Sequence, residues 1–360
     1  WVETSTYAEV VRHLEVAAAS HPRMHLVTFG YTNQGRALPL LVVGPDAPEA
    51  ATPEAVRETD LLRIYIQGNI HAGEVAGKEA LLRLVRRLVE GEEEGWTRGW
   101  VLLLAPIYNA DGNEALDLRN RPRQHGPLGG MGTRPNAQGL DLNRDQMKLD
   151  SPEARSLARL LTEWDPHVFV DLHVTNGTRH AYHLTYAPGL HPATPEPLDV
   201  WLRDELLPEV TRRVEVETGW FMWHYGNVGN RGGVRGWWTF DHRPRFVTNY
   251  AGIRNRLGIL SEAYSYLTFE DRVLATEAFV DQILHFLHSR QDEARALVEE
   301  AVAADVAGLP GSRVPIRAAL PDHPPEHEIL MGEVVEEENP WSGEIILRRI
   351  EVVSPEPMPA

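Results

Sequence analysis

Apolar positions along the chain follow two periods, and the switches between them lay out a series of elements. Residues 4–20 carry apolar side chains at helical spacing, and 24–31 and 37–44 read as extended segments. The run Leu61–Gln67 predicts a buried strand. Residues 74–90 follow with apolar positions at 75, 81, 82, 84, 85 and 88, a helical period. Trp100–Tyr108 predicts another strand, and 109–142, rich in Gly, Pro and Asn, a long irregular connection of the kind that carries function. Ser151-Pro152-Glu153 places an N-cap residue before a proline at the first helical position, so a helix should run to about Trp164. Beyond it come a strand at His167–Val174, a helix at 197–217, a strand at Gly258–Tyr264 and a helical stretch at 268–304 with a break near Ser289. Strands alternating with helices predict an α/β fold, a mostly parallel sheet covered on both faces.

Past residue 307 the pattern changes. The segment 308–360 is first Pro-rich, then acidic from Glu333 to Glu338, then alternating through Val353. It reads as a small β-rich extension or the start of a second domain, set against a main domain of 1–307. The 360 residues suffice for one large α/β core. No apolar run is long enough to span a membrane. A net charge of −17 disfavours nucleic-acid backbones, whose binding depends on Lys and Arg. From the start at Trp1 rather than Met, the expectation is an upstream segment removed or left out, with a secreted or periplasmic protein favoured and a cytoplasmic one the alternative. Nothing in the sequence sets an oligomeric state.

With no cysteine in the chain, any metal must be held by His, Asp and Glu. His71 and Glu74 stand three residues apart in Gly68-Asn69-Ile70-His71-Ala72-Gly73-Glu74, where a strand gives way to a helix. Imidazole nitrogen and carboxylate oxygen both suit zinc at about 2.0–2.2 Å, and a catalytic zinc uses three protein ligands. By itself this pair is equally a surface helix start. His173 ends the 167–174 strand, where side chains of parallel sheets gather into a crevice, although a lone strand-end histidine is ordinarily structural. Glu262 lies within the apolar string Gly258–Tyr264; a buried ion pair or a general base would explain it.

Taken in order, His71-x-x-Glu74, Asn143-Arg144, His173 and Glu262 resemble the zinc carboxypeptidases (carboxypeptidase A/B-like enzymes, the funnelins). The spacing is 72 residues from His71 to Asn143 and 99 from Glu74 to His173. The likeness covers about residues 5–300, and the strings Asn-Ile-His-Ala-Gly-Glu, Leu-Asn-Arg-Asp and Glu-Ala-Tyr-Ser-Tyr resemble a bacterial branch with poorly defined substrates. The resemblance implies a mixed, mostly parallel twisted sheet and one Zn²⁺ held by His71, Glu74 and His173. It implies that Glu262 is the general base for a metal-activated water. Asp141 matches the position that hydrogen-bonds a metal-binding histidine. Asn143 and Arg144 match the pair gripping the substrate's terminal carboxylate, a role suited to a guanidinium fork.

Two further roles are implied less directly. An arginine should stabilise the oxyanion, and Arg119, Arg121 and Arg123 compete, with Arg121 favoured. A substrate-facing tyrosine should precede Glu262, and Tyr250 is the candidate. The expected activity is removal of a C-terminal residue from a peptide or peptide-like substrate with a free carboxylate. A same-fold enzyme acting on murein peptides or another amide is the near alternative; a non-catalytic metal- or peptide-binding domain is the distant one. His323-Pro324-Pro325-Glu326-His327 spells an inverted zinc-protease motif but reads as a loop, since two prolines oppose the helix it needs. Gly126–Gly132 lacks the Lys of a phosphate loop and reads as rim. His180, His183, His224 and His242 lack ligand spacing. Trp220, Trp223, Tyr225, Trp237 and Trp238 suit a cleft wall or the core equally, and Arg254 and Arg256 suit an acidic substrate or the surplus of acidic residues.

Overall fold

The computed structural model describes residues 2–308, 313, 315, 318–319 and 324–360. The first helix, α1 (Tyr7–Ser20), starts later than apolar spacing predicts. Thr6 caps it by accepting from the Glu9 N–H, and the Glu9 carboxylate accepts from the Thr6 N–H in return at 2.8 Å. Then follow β1 (Met24–Tyr31), β2 (Ala37–Val43), β3 (Leu62–Gly68), α2 (Ala76–Val89), β4 (Trp100–Ala105), α3 (Pro152–Glu163) and β5 (Val168–Val174). Next are β6 (Leu184–Pro188), α4 (Leu207–Thr218), β7 (Met222–His224), β8 (Asn227–Arg231) and β9 (Val234–Trp238). The main body closes with α5 (Val247–Ile253), β10 (Leu257–Ala263), α6 (Phe269–Ser289) and α7 (Gln291–Gly308). The helical stretch after 268 therefore breaks where expected. The helix expected at 197–217 spans Glu196–Thr218 through a wider turn at Trp201–Leu206, ahead of Pro208.

Eight strands form one sheet in the order β1-β2-β4-β3-β5-β10-β6-β7. Pairings β4–β3, β3–β5, β5–β10 and β6–β7 are parallel; β1–β2, β2–β4 and β10–β6 are antiparallel. The fold is thus the mixed, mostly parallel one expected. Alternate residues of each central strand feed separate cores, because successive side chains point to opposite faces. Leu62, Ile64 and Ile66 of β3, with Leu102 and Leu104 of β4 and Val168 and Val170 of β5, pack beneath α1, α2, α4, α6 and α7. On the other face Tyr65, Leu103 and Phe169 meet Leu157 and Leu160 of α3 and Val247 and Ala251 of α5. Burial on both faces explains the uninterrupted apolar runs.

Beyond α7, β11 (Glu326–Glu338) and β12 (Ile345–Pro359) form a long antiparallel ribbon. It lies against the main body: Ile329 and Met358 pack with Tyr182 and Trp237, and Leu347 packs with Tyr264 and Tyr266. The Leu347 N–H donates to Arg123 O at 2.9 Å, which ties the ribbon to the 109–142 connection. Of the inverted motif, His323 lies outside the described residues, Pro324 and Pro325 are irregular, and Glu326 and His327 open β11 rather than continue a loop.

Candidate metal centre and its cavity

Three residues converge where β3, β5 and β10 end. Past β3 the chain turns sharply at Asn69, whose φ of 67° lies in the left-handed region that Asn tolerates better than most residues. The Asn69 carbonyl accepts from the Asn109 N–H at 3.1 Å, and Ala72 N–H donates to Thr133 O at 3.1 Å. This fixes His71 and Glu74 over the sheet edge. Glu74 sits between both histidines: its Oε1 is 3.0 Å from His71 Nδ1 and its Oε2 is 2.8 Å from His173 Nδ1. Donor atoms of His71, Glu74 and His173 all lie within 4.8 Å of one another, and all three residues are buried. Among the described residues no other group of three or more His, Asp or Glu meets that standard.

Each histidine is oriented by a carboxylate at its other nitrogen. His71 Nε2 is 3.0 Å from Asp141 Oδ1, the partner expected, and His173 Nε2 is 2.6 Å from Asp171 Oδ2. The second partner was missed in the sequence, although Asp171 and His173, two apart on one strand, must share a face. A buried chain continues behind it. Gln67 Nε2 donates to Asp171 Oδ1 at 2.9 Å, and Tyr65 OH donates to Gln67 Oε1 at 2.9 Å. Such outer contacts fix tautomer and ring direction, leaving both Nδ1 atoms aimed at Glu74.

Electrostatics match this geometry. Burial would raise the Glu74 carboxyl, but the charges of His71 and Arg121 and hydrogen bonds from both imidazoles hold it well below the carboxylate range. Burial likewise opposes charge on His173, yet Asp171 and Glu74 outweigh it and hold the imidazole well above its ordinary value. Asp141 is also held low: burial is overcome by His71, Arg134 and Arg144. Glu262 behaves oppositely. Burial, helped by Glu74 and Asp171 and opposed by His173 and Arg134, pushes it up to about 8.

A cavity of about 280 Å³ opens over these groups, lined by His71, Glu74, Glu262, Arg121, Asn143 and Arg144 among others. Of the three competing arginines, Arg121 is the one that reaches the centre, its Nη2 2.8 Å from Glu74 Oε1. Arg119 and Arg123 are exposed. A β-carbon on Gly73 would come within 2.8 Å of Arg121 Nε and 2.7 Å of Gly132 O, so the glycine between His71 and Glu74 makes room for that side chain. Arg134, which the sequence did not single out, also faces the cavity, 3.8 Å from Glu74 Oε1 and 2.9 Å from Asp141 Oδ2.

Asn143 Oδ1 accepts from the Val247 N–H at 2.9 Å, joining its loop to the start of α5. The Arg144 guanidinium stacks 4.0 Å over the Phe246 ring, and no carboxylate among the described residues lies within ion-pair distance. Tyr250 is placed elsewhere. Thr248 of α5 lines the cavity, and two positions on, about 200° around a helix, Tyr250 packs on the outer core beside Arg254. The tyrosine that does face the cavity is Tyr225, just after β7, its hydroxyl accepting from Asn227 Nδ2 at 3.2 Å. Gly126–Gly132 is not part of the lining.

Two histidines and a glutamate gathered at the carboxyl edge of parallel strands, with a carboxylate and guanidinium groups facing them, form a candidate metal centre. Residues 10–156 of the chain match the family model described as Peptidase_M14, zinc carboxypeptidase. Carboxypeptidase 2 of Trichophyton rubrum is 25% identical over 146 residues, 39% of this chain and 23% of that protein. Probable carboxypeptidase 2 of Arthroderma benhamiae is 25% identical over the same length, 24% of that protein. The match thus spans about a quarter of these curated relatives. Among solved structures, a metallo-carboxypeptidase from Burkholderia cenocepacia superposes with a TM-score of 0.58 at 18% identity, covering 80% of this chain and 70% of its own. Carboxypeptidase A from Helicoverpa armigera gives 0.56 at 13% identity, covering 80% and 74%. At such identities the likeness establishes the fold.

Proposed function

We propose that this chain is a metallocarboxypeptidase that hydrolyses the last peptide bond of a substrate with a free C-terminal carboxylate, using one zinc ion. The observation that carries this reading is one cavity lined by His71, Glu74, Glu262 and an Arg144 guanidinium without a carboxylate partner, with His173 completing the donor set. The donors fit zinc: two imidazole nitrogens and a carboxylate oxygen, with both outer nitrogens already held by Asp141 and Asp171. When bound, zinc polarises the scissile carbonyl and makes water a nucleophile near neutral pH.

The chain's own residues supply the rest. Arg144 offers a planar fork to the terminal carboxylate, stacked on Phe246, and Asn143, its amide nitrogen 3.5 Å from His173 Nε2, lines the same cavity. Glu262, a carboxyl whose proton affinity burial raises, takes the proton of the attacking water and passes it to the leaving amine. Arg121 and Arg134 stand on the Glu74 side, where negative charge develops on the carbonyl oxygen.

Mass spectrometry of peptide mixtures incubated with zinc-loaded protein tests this, with free-acid C-termini beside amidated ones. Stepwise loss of C-terminal residues from the free acids alone is the expected result. Intact free acids, with murein peptides or other amides cut instead, would move the activity to the alternative substrate class.

A further inference from the structure

A second cavity, about 530 Å³, lies beside the first, and Tyr225 belongs to the walls of both. Their relation follows from strand register. Leu260 precedes Glu262 by two residues on β10, so both face the same side, and both line the first cavity with Thr248, Phe246 and Arg144. Across β10–β6, Leu260 opposes Ala187. One strand further, Tyr225 continues β7, its N–H donating to Tyr186 O at 2.6 Å. A row Leu260–Ala187–Tyr225 therefore leads away from Arg144 at about 4.8 Å per strand. Toward β5 the row is closed, because Asp171 opposes Leu260 and is buried in its bonds to Gln67 and His173. Toward β6 it opens over the methyl group of Ala187 into the second cavity.

That cavity is aromatic, and the indole N–H groups and the arginine on its walls already have partners. Trp237 Nε1 donates to His224 O and Trp238 Nε1 to Gly229 O, each at 3.0 Å, while Arg203 is engaged with Asp199 at 2.9 Å. Burial, aided by the charges of Arg203 and His327, pushes His224 down to about 4, so it is neutral at neutral pH. Trp223 completes the inner wall, and Pro325 and His327 of the C-terminal segment close the far side. The inverted motif of the sequence thus contributes a wall rather than a metal site. A charged occupant would find no partner here, whereas a flat apolar ring would find ring faces and edges.

We propose that this second cavity receives the side chain of the leaving C-terminal residue, that it selects aromatic residues, and that Ala187 and the C-terminal ribbon determine this selectivity. The proposal rests on the carboxypeptidase reading above, since it is Arg144 that places the leaving residue over Leu260. The test compares kcat/KM for peptides identical except for a C-terminal Trp, Ala or Arg. Wild-type protein is expected to favour Trp over Ala by roughly ten- to a hundredfold, as burial of a large apolar side chain implies, and to favour Trp over Arg by more. Ala187→Leu, which fills the passage, should bring the Trp:Ala ratio close to one, and His327→Ala should lower it several-fold. Equal rates for Trp and Ala in wild-type protein, a preference for Arg, or ratios unmoved in both variants would overturn the proposal. If no free-acid peptide is cut, the carboxypeptidase reading fails, and calorimetry with free L-tryptophan decides on the cavity: binding lost in Ala187→Leu supports it, and binding equal in both proteins refutes it.

Discussion

The metal centre and the aromatic cavity lie side by side on one sheet face, yet they are built in different ways. The centre comes from ends of central parallel strands, where a short local string turns at Asn69 and each ligand is held from behind by a carboxylate. The aromatic cavity is assembled from the β6 end, β7 and its continuation, β9, and a ribbon arriving more than eighty residues after Trp238. On the proposed reading, chemistry is anchored at the fully buried central strands and selection is left to segments attached to them. Built from different segments, the two regions are separable: a change in one should leave the other standing.

The sharpest separation is expected from Glu262→Gln. Loss of the base should lower kcat by roughly 10²–10⁴, while zinc content measured by elemental analysis stays at the wild-type level. Wild-type turnover would show that the base lies elsewhere. Next in size is Ile329→Ala, which removes a fully buried ribbon side chain from its contact with Tyr182, Trp237 and Met358. A loss of about 2–5 kcal/mol in unfolding free energy is expected, with zinc affinity unchanged; a parallel loss of zinc affinity would erase the distinction between the two regions.

Asp171→Asn sharpens the comparison from the other side. Removing the charge behind His173 should weaken zinc binding by about 10–100-fold, read by competition with a chromophoric chelator, and leave the melting profile of the ribbon intact. The smallest effect concerns acid stability. His183 is held down to about 3, first by burial and then by Arg349, and its Nδ1 accepts from the Phe221 N–H at 3.2 Å. Its folded-state value is below that of the unfolded chain, near 6.5. The unfolded state therefore binds more protons between these values, so the stability His183 contributes is full above about pH 6.5 and is lost as pH falls toward 3. Replacing it with Gln should flatten the melting temperature against pH in that window, and an unchanged slope would show that other groups dominate.

How much of this was legible depended on whether the signal was local. The strands Leu61–Gln67 and His167–Val174 stand out because burial on both faces leaves them mostly apolar, broken only at Arg63 in the first and at Asp171 and His173 in the second, and the triad follows from residue types at their ends. The strands β6 to β9 did not stand out: β6 and β7 are short, and β8–β9, a half-exposed hairpin, holds Gly229 and Gly236. The sequence therefore groups Tyr225 only with the tryptophans, while Tyr250, the candidate as a tyrosine preceding Glu262 despite its short spacing, packs on the outer core. Arg134 gave no signal of its own, because its approach to Glu74 depends on a long irregular connection pinned by tertiary contacts at Thr133 and Asp111. Asp171 was within reach of a period-two argument. Strand register across β10, β6 and β7, on which the aromatic cavity rests, was not.

On the proposed reading, His71, Glu74 and His173 together form one zinc site. Native mass spectrometry of the intact protein, titrated with zinc after metal removal, tests it most directly. One tightly held zinc per chain in wild type and in Glu262→Gln, and none in His173→Ala, is the predicted result. Zinc held equally well by His173→Ala, or a second equivalent held as tightly as the first, would contradict it.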